Sequence, residues 1–174
     1  MCSFHNSTSP PRIVHRQYRE ARKGWSIIPY EEIIKRIKQL FTSRMLTAVQ
    51  IGDFGCGEAK IMEAFGPDRI YSFDHVAVND KVIACDMKNV KNYLADDVLD
   101  VAVFSLSLMG KNWIDYIIEA KRCLATNGYL LIVETTKSMK GRLSKLRDAI
   151  TEQGFEIYMD EEKGDFTFIE AREF

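Results

Sequence analysis

Hydrophobic positions change period along this chain. Between residues 29 and 41 they recur at helical spacing, with Ile33, Ile34, Ile37, Leu40 and Phe41 on one face. Pro29 at the start, with Glu31 and Glu32 in the first turn, suits a helix N-terminus. Beyond residue 47, short apolar runs alternate with amphipathic stretches. The runs predict strands at 48–54, 70–73 (ending on Asp74), 82–84 (ending near Asp86), 98–105, 129–133, 155–159 and 166–171. The stretches predict helices at 58–65, stopped by Gly66-Pro67, at 113–124, and at 140–153, capped by Gly154. Residues 1–12, with Ser7, Thr8, Ser9, Pro10 and Pro11, read as a flexible arm. The segment 13–24 is polar and basic, with Arg16, Arg19 and Arg22 at i, i+3 spacing.

Strands separated by helices predict a doubly wound α/β sheet with right-handed crossovers. The run 98–105 is almost continuously apolar, as burial on both faces requires. Only the charged segment 160–165 joins the last two strands. That is too short for a parallel crossover, so they form an antiparallel hairpin. The expected fold is Rossmann-like: a mostly parallel seven-stranded sheet flanked by helices and ending in an antiparallel hairpin. This is the layout of class I methyltransferases rather than of dehydrogenases. The expected organisation is an arm at 1–12 and one domain at 13–174. Within that domain, 13–47 forms an N-terminal helical lid or substrate segment and 48–174 a cofactor-binding core.

A length of 174 residues, 46% hydrophobic, is enough for one domain with a sizeable core. No apolar run approaches the roughly 18 residues of a membrane span, and the N-terminal residues lack the layout of a secretory signal. The four cysteines (Cys2, Cys56, Cys85, Cys123) form no C-x-x-C pair, which argues against a metal site and for a reduced intracellular compartment. The net charge of −1 conceals an asymmetry, because residues 1–50 carry nine Lys/Arg against three Asp/Glu. Two basic stretches are candidate contacts for nucleic acid: 16–23 (Arg16, Arg19, Arg22, Lys23) and 137–147 (Lys137, Lys140, Arg142, Lys145, Arg147). The plainer reading is a pair of solvated helix faces.

Ligands of such sheets bind outside the C-terminal ends of the strands. The loop Asp53-Phe54-Gly55-Cys56-Gly57 leaves the first strand there, and Gly55 and Gly57 allow a tight turn and close approach to a ligand. Asp74 ends the second strand, placed to accept ribose hydroxyls. Asp86-Met87 follows the third, with Asp86 placed for an exocyclic amine and Met87 for the face of an adenine ring. A dinucleotide loop completes G-x-G-x-x-G/A, and here the sixth position is Lys60. The open pattern and the hairpin favour S-adenosylmethionine over NAD. For Asp100 the expectation is a structural hydrogen bond, and for Trp113 core packing.

The motifs Asp53-Phe54-Gly55-Cys56-Gly57, Phe73-Asp74 and Cys85-Asp86-Met87, with the run from Asp100 through Ser107-Leu108-Met109-Gly110, resemble the ribosomal RNA-processing protein 8 (nucleomethylin) family. His15, Tyr18, Trp25 and Pro29 match its N-terminal pattern. The sequence departs from the family at Gln17, Ala21, Ser26 and Ser105, and the family's long basic extension has no counterpart in these residues. The resemblance implies methyl-donor contacts at His15, Gly55, Asp74, Asp86, Met87 and Ser105. It also implies transfer to N1 of an adenine in large-subunit ribosomal RNA, and work in the nucleolus, or in the cytoplasm of a source without a nucleus.

A ring nitrogen carries its own lone pair and needs no general base, and the segment 105–110 contains neither acid nor proline. An adenine taken out of its stack needs aromatic company, for which Tyr18, Trp25 and Tyr30 are candidates. Two other readings stay open: a methyltransferase for a small molecule or peptide, and a non-catalytic S-adenosylmethionine-binding module.

Overall fold

The computed structural model describes residues 11–42 and 48–174, apart from the side chains of residues 11–15 and of Tyr18. Five runs pair in parallel: β1 (Ile51–Phe54), β2 (Ile70–Asp74), β3 (Ile83–Ala84), β4 (Leu99–Ser105) and β5 (Leu124–Thr135). The chain returns as β6 (Phe155–Lys163) and β7 (Phe166–Glu173), and β7 runs antiparallel to both β5 and β6. The order β3-β2-β1-β4-β5-β7-β6 is the mostly parallel sheet with a terminal hairpin that the pattern predicts.

The helices are α1 (Pro11–Arg22), α2 (Pro29–Leu40), α3 (Met62–Phe65), α4 (Trp113–Cys123), α5 (Thr136–Met139) and α6 (Leu143–Glu152). Alternation along β4 feeds two cores. Ala102 and Phe104 join Trp113 and Ile117 of α4 and Ile150 of α6, whereas Val101 and Val103 join Ile33 and Ile37 of α2. Trp113 is therefore a core residue, as expected. Asp100 also makes its structural bond, accepting the Gln50 N–H at 2.8 Å. Arg36 ties α2 to the sheet, its Nε lying 2.7 Å from both carboxylate oxygens of buried Glu170 on β7.

Four boundaries differ from the pattern. The helix expected at 58–65 begins only at Met62, because Gly57 and Ala59 take left-handed φ values of +56° and +57° that keep the chain out of helical register. The helix expected at 140–153 begins only at Leu143, as α6, after the left-handed Gly141 at φ +78°, and the short α5 precedes it unexpected. The acidic run expected as a turn at 160–165 is strand as far as Lys163. β6 is an edge strand whose charged side chains reach solvent, and such charges discourage pairing with other chains. Finally, α1 begins at Pro11, inside the expected arm, while residues 1–10 lie outside the described part.

Three buried acids, Asp53, Asp74 and Glu134, lie at the C-terminal ends of parallel strands, and two of them are almost wholly buried. Asp53 on β1 is 2% exposed and Glu134 on β5 is 1% exposed. Burial, helped by the nearby charge of Asp74, pushes the Asp53 carboxyl up to about 7. Burial also pushes Glu134 up to about 7, against the pull of the Leu108 N–H and Arg142. Between roughly pH 4 and 7 the folded chain thus holds protons that the unfolded chain has released. Stability should fall as pH rises through this window, by up to about 1.4 kcal/mol per pH unit per group, and level off above it. Urea midpoints from pH 5 to 8 check this: D53N should show a shallower slope than wild type, and equal slopes would refute the assignment.

Candidate cofactor and acceptor site

The loop after β1 is folded over the end of β2. The N–H groups of Gly55 and Cys56 both donate to the Phe73 carbonyl, at 2.8 and 2.9 Å. The Gly57 N–H donates to Asp74 Oδ2 at 2.9 Å. The Asp74 carbonyl accepts the Cys85 N–H at 2.9 Å, which draws in the chain after β3. Gly55 sits at φ +82°, and a Cβ there would stand 2.3 Å from Ser107 Cβ and 3.6 Å from Met87 Sδ. Only a glycine fits this junction. Ser107, in turn, donates its hydroxyl to the Phe54 carbonyl at 2.6 Å.

The site therefore gathers Asp53, Gly55, Gly57, Asp74 and Met87. Met87, expected on the face of an adenine ring, is 3% exposed, with its side chain in the core beneath Gly55. Asp86 is exposed at the rim. Burial opposes its ionisation, but the backbone N–H and the ammonium of Lys88 together outweigh it and hold its carboxyl below the usual range. His75 is also exposed, 3.1 Å from the Tyr116 hydroxyl. Ser105 ends β4, half-buried. Burial, with the charges of Asp53 and Asp74, pushes the Cys56 thiol far up, so Cys56 is not a thiolate nucleophile at neutral pH.

The N-terminal segment reaches this loop through Arg19 of α1, which pairs with Glu58 at 2.7 Å. His15 and Tyr18 lie on α1, but their side chains are outside the described part. Trp25 is half-buried, edge-on to Phe166 at 5.0 Å, and Arg22 lies over the half-buried Tyr30 ring at 5.8 Å. Both rings pack on the α2 core.

In the basic stretches, Arg142 is turned inward to the Leu108 carbonyl at 2.9 Å and over Trp113. Arg147 pairs with Asp160. Lys137, Lys140 and Lys145 are exposed. Among the described residues, no group of three or more His, Cys, Asp or Glu could hold a metal ion, and no helix is long and apolar enough to cross a membrane.

The donor set suits a cation better than a phosphate. A pyrophosphate site uses a helix N-terminus aimed at the ligand, but α3 starts five residues after Gly57 and is only four residues long. What the site offers instead is carboxylates at Asp74 and Asp86. Ser107 and Glu134 belong to the same site, although neither stood out as a contact in the sequence. The signal for Glu134 was an acid ending an apolar strand, the same signal that marks Asp53 and Asp74.

The comparisons agree with this geometry. A family model described as hypothetical methyltransferase matches residues 3–173. The 25S rRNA (adenine(645)-N(1))-methyltransferase of Schizosaccharomyces pombe is 41% identical over 128 residues, covering 70% of this chain and 40% of that protein. Ribosomal RNA-processing protein 8 of Dictyostelium discoideum is 37% identical over 153 residues, covering 87% of this chain and 37% of that one. The chain thus spans less than half the length of either relative. A TehB-like SAM-dependent methyltransferase from Corynebacterium glutamicum superposes with a TM-score of 0.68 at 12% identity, over 94% of this chain and 98% of that one, which shows the shared fold. The chain belongs to the ribosomal RNA-processing protein 8 family of class I methyltransferases.

Proposed function

We propose that this chain binds S-adenosylmethionine at the junction of Gly55, Asp74 and Ser107 and methylates N1 of an adenine in large-subunit ribosomal RNA. The observation that carries the reading is the close contact of Gly55 with Ser107, which brings the donor loop against the loop after β4. The similarity to a relative named as an rRNA adenine-N1 methyltransferase supplies the acceptor.

The bound donor supplies an electrophilic methyl group on a sulfonium, and S-adenosylhomocysteine is the product. Asp74 holds the ribose hydroxyls while its Oδ2 also fixes the Gly57 N–H. Asp86 faces the adenine rim. The Ser107 hydroxyl is committed to Phe54, so it holds the loop rather than taking a proton. Adenine N1 needs no base, and rate comes from alignment of acceptor, methyl and sulfur. The segment 13–47 acts as a lid, latched over the donor loop by Arg19 and Glu58. His15 on α1 contacts the donor, and Tyr18, Trp25 and Tyr30 line the way in for the base. Exposed Lys23, Lys137, Lys140 and Lys145 meet the RNA backbone. The family's processing role supports work in the nucleolus, or in the cytoplasm of a source without a nucleus.

Tritiated donor incubated with deproteinised large-subunit rRNA should label the RNA, and nucleoside mass spectrometry should find 1-methyladenosine. Label confined to a metabolite or peptide fraction would refute the acceptor. D74A should weaken S-adenosylhomocysteine binding about 100-fold by calorimetry while keeping a folded circular-dichroism spectrum, since a lost charge-assisted contact is worth about 1.5–3 kcal/mol, and G55A, whose new Cβ meets Ser107 Cβ, should weaken it too. Wild-type affinity in D74A would refute the donor assignment. The double variant K140E/K145E should lower RNA affinity and flatten its dependence on salt. An unchanged salt slope removes that face from the interface.

A further inference from the structure

The loop after β4 turns through Leu106, whose φ of +57° is a left-handed conformation that leucine adopts only under constraint. Neighbouring elements supply the constraint. Val133 on β5 accepts the Leu106 N–H at 2.9 Å, Phe54 on β1 accepts the Ser107 hydroxyl, and Arg142 donates to the Leu108 carbonyl. The remaining restraint is Glu134. Its Oε1 accepts the Leu108 N–H at 2.7 Å. Glu134 is almost wholly buried, and its Oε2 has no hydrogen-bond partner. Burying an acid with an idle oxygen is a costly way to hold one amide, where an apolar residue would suit the strand.

Glu134 grips the loop where its surroundings change. Ser107 lies against Gly55 on the donor side, whereas Met109 is 41% exposed and Gly110 has open space around it. Leu108 joins the donor contact to the surface at which an acceptor arrives. We propose that Glu134 is a positioning residue for methyl transfer, fixing the half of the loop formed by Leu108, Met109 and Gly110 against the donor site so that the acceptor base is held in line. This rests on the reading of the Gly55 loop as the donor site. The Ser107 bond to Phe54 survives without Glu134, so loss of Glu134 should spare donor binding and impair alignment.

Glu134→Gln keeps a carbonyl oxygen for the Leu108 N–H, and Glu134→Met does not. Three readouts on the full chain separate the roles: S-adenosylhomocysteine affinity by calorimetry, kcat and KM on large-subunit rRNA at saturating donor, and amide exchange of the peptide containing Leu108. E134M should bind within about threefold of wild type, lose about 100-fold in kcat, and exchange faster at Leu108. E134Q should recover kcat to within about fivefold of wild type. Wild-type kcat in E134M, or donor affinity falling as far as kcat, overturns the positioning role. Should E134M fail to fold, E134D decides: its shorter reach should cost about tenfold in kcat at unchanged donor affinity, and wild-type kcat overturns the role. A wild-type chain that binds no S-adenosylhomocysteine, or binds it and labels no RNA, overturns the functional reading instead. In that event Leu108 exchange still decides the anchor, and equal exchange in wild type and E134M overturns it.

Discussion

The site depends on one contact, the near-touching of Gly55 and Ser107. Any side chain at residue 55 would occupy the space of Ser107 Cβ. With no side chain there, the loop after β1 and the loop after β4 close against each other, and a hydroxyl-to-carbonyl bond from Ser107 to Phe54 holds the closure. The positive φ at Gly55 also aims two successive N–H groups at a single carbonyl of β2. Three neighbouring strands are thereby joined at their C-terminal ends by one residue without a side chain. This gives a parallel sheet a rigid ligand-binding rim, although its connecting loops are otherwise free to vary.

Burial then explains why acids end these strands. Inside the sheet Asp53 and Glu134 have little water to solvate a charge, and both are pushed toward neutrality. Asp74, one strand nearer the β3 edge than Asp53, is spent on backbone N–H groups of the adjoining loops. The three carboxyls therefore have different jobs. Asp53 lies under the loop, Glu134 holds the Leu108 N–H, and Asp74 fixes the Gly57 N–H where the proposed donor would sit. A sequence reading that treats them as equivalent acids at strand ends loses this division.

Much of the fold was legible because its signals are local. The continuous apolar run of β4, the short link before β7 and the stop at Gly66-Pro67 each follow from burial or from chain length. Asp100 and Trp113 behaved as expected because one sits at a strand start and the other on the apolar face of a helix. What was illegible depends on contacts between distant residues. Gly57 allows a left-handed turn, but nothing near Glu58 announces that Ala59 will also be left-handed, a conformation alanine seldom adopts. The acids of β6 resemble a turn until the strand is known to lie at the edge. Ser107 and Glu134 are separated in sequence from the residues they hold, and an isolated serine or glutamate carries no period.

Charge completes the picture, because the two ligands of the proposed reaction have opposite signs. The methyl donor is a cation at its reacting end, and the rim that would hold it presents Asp74 and Asp86. Ribosomal RNA is a polyanion, and the exposed lysines proposed to meet it are Lys23, just after α1, Lys137 on α5, Lys140 between α5 and α6, and Lys145 on α6, away from those carboxylates in sequence. Arg142 links the two regions, because it begins the basic helix and yet turns inward to the loop that Glu134 holds. A phosphate backbone drawn to α5 and α6 would therefore dock on elements braced against the acceptor loop. In that arrangement long-range electrostatics bring the RNA to the right face, and the short bonds around Leu108 determine whether a base presented there is aligned with the methyl group.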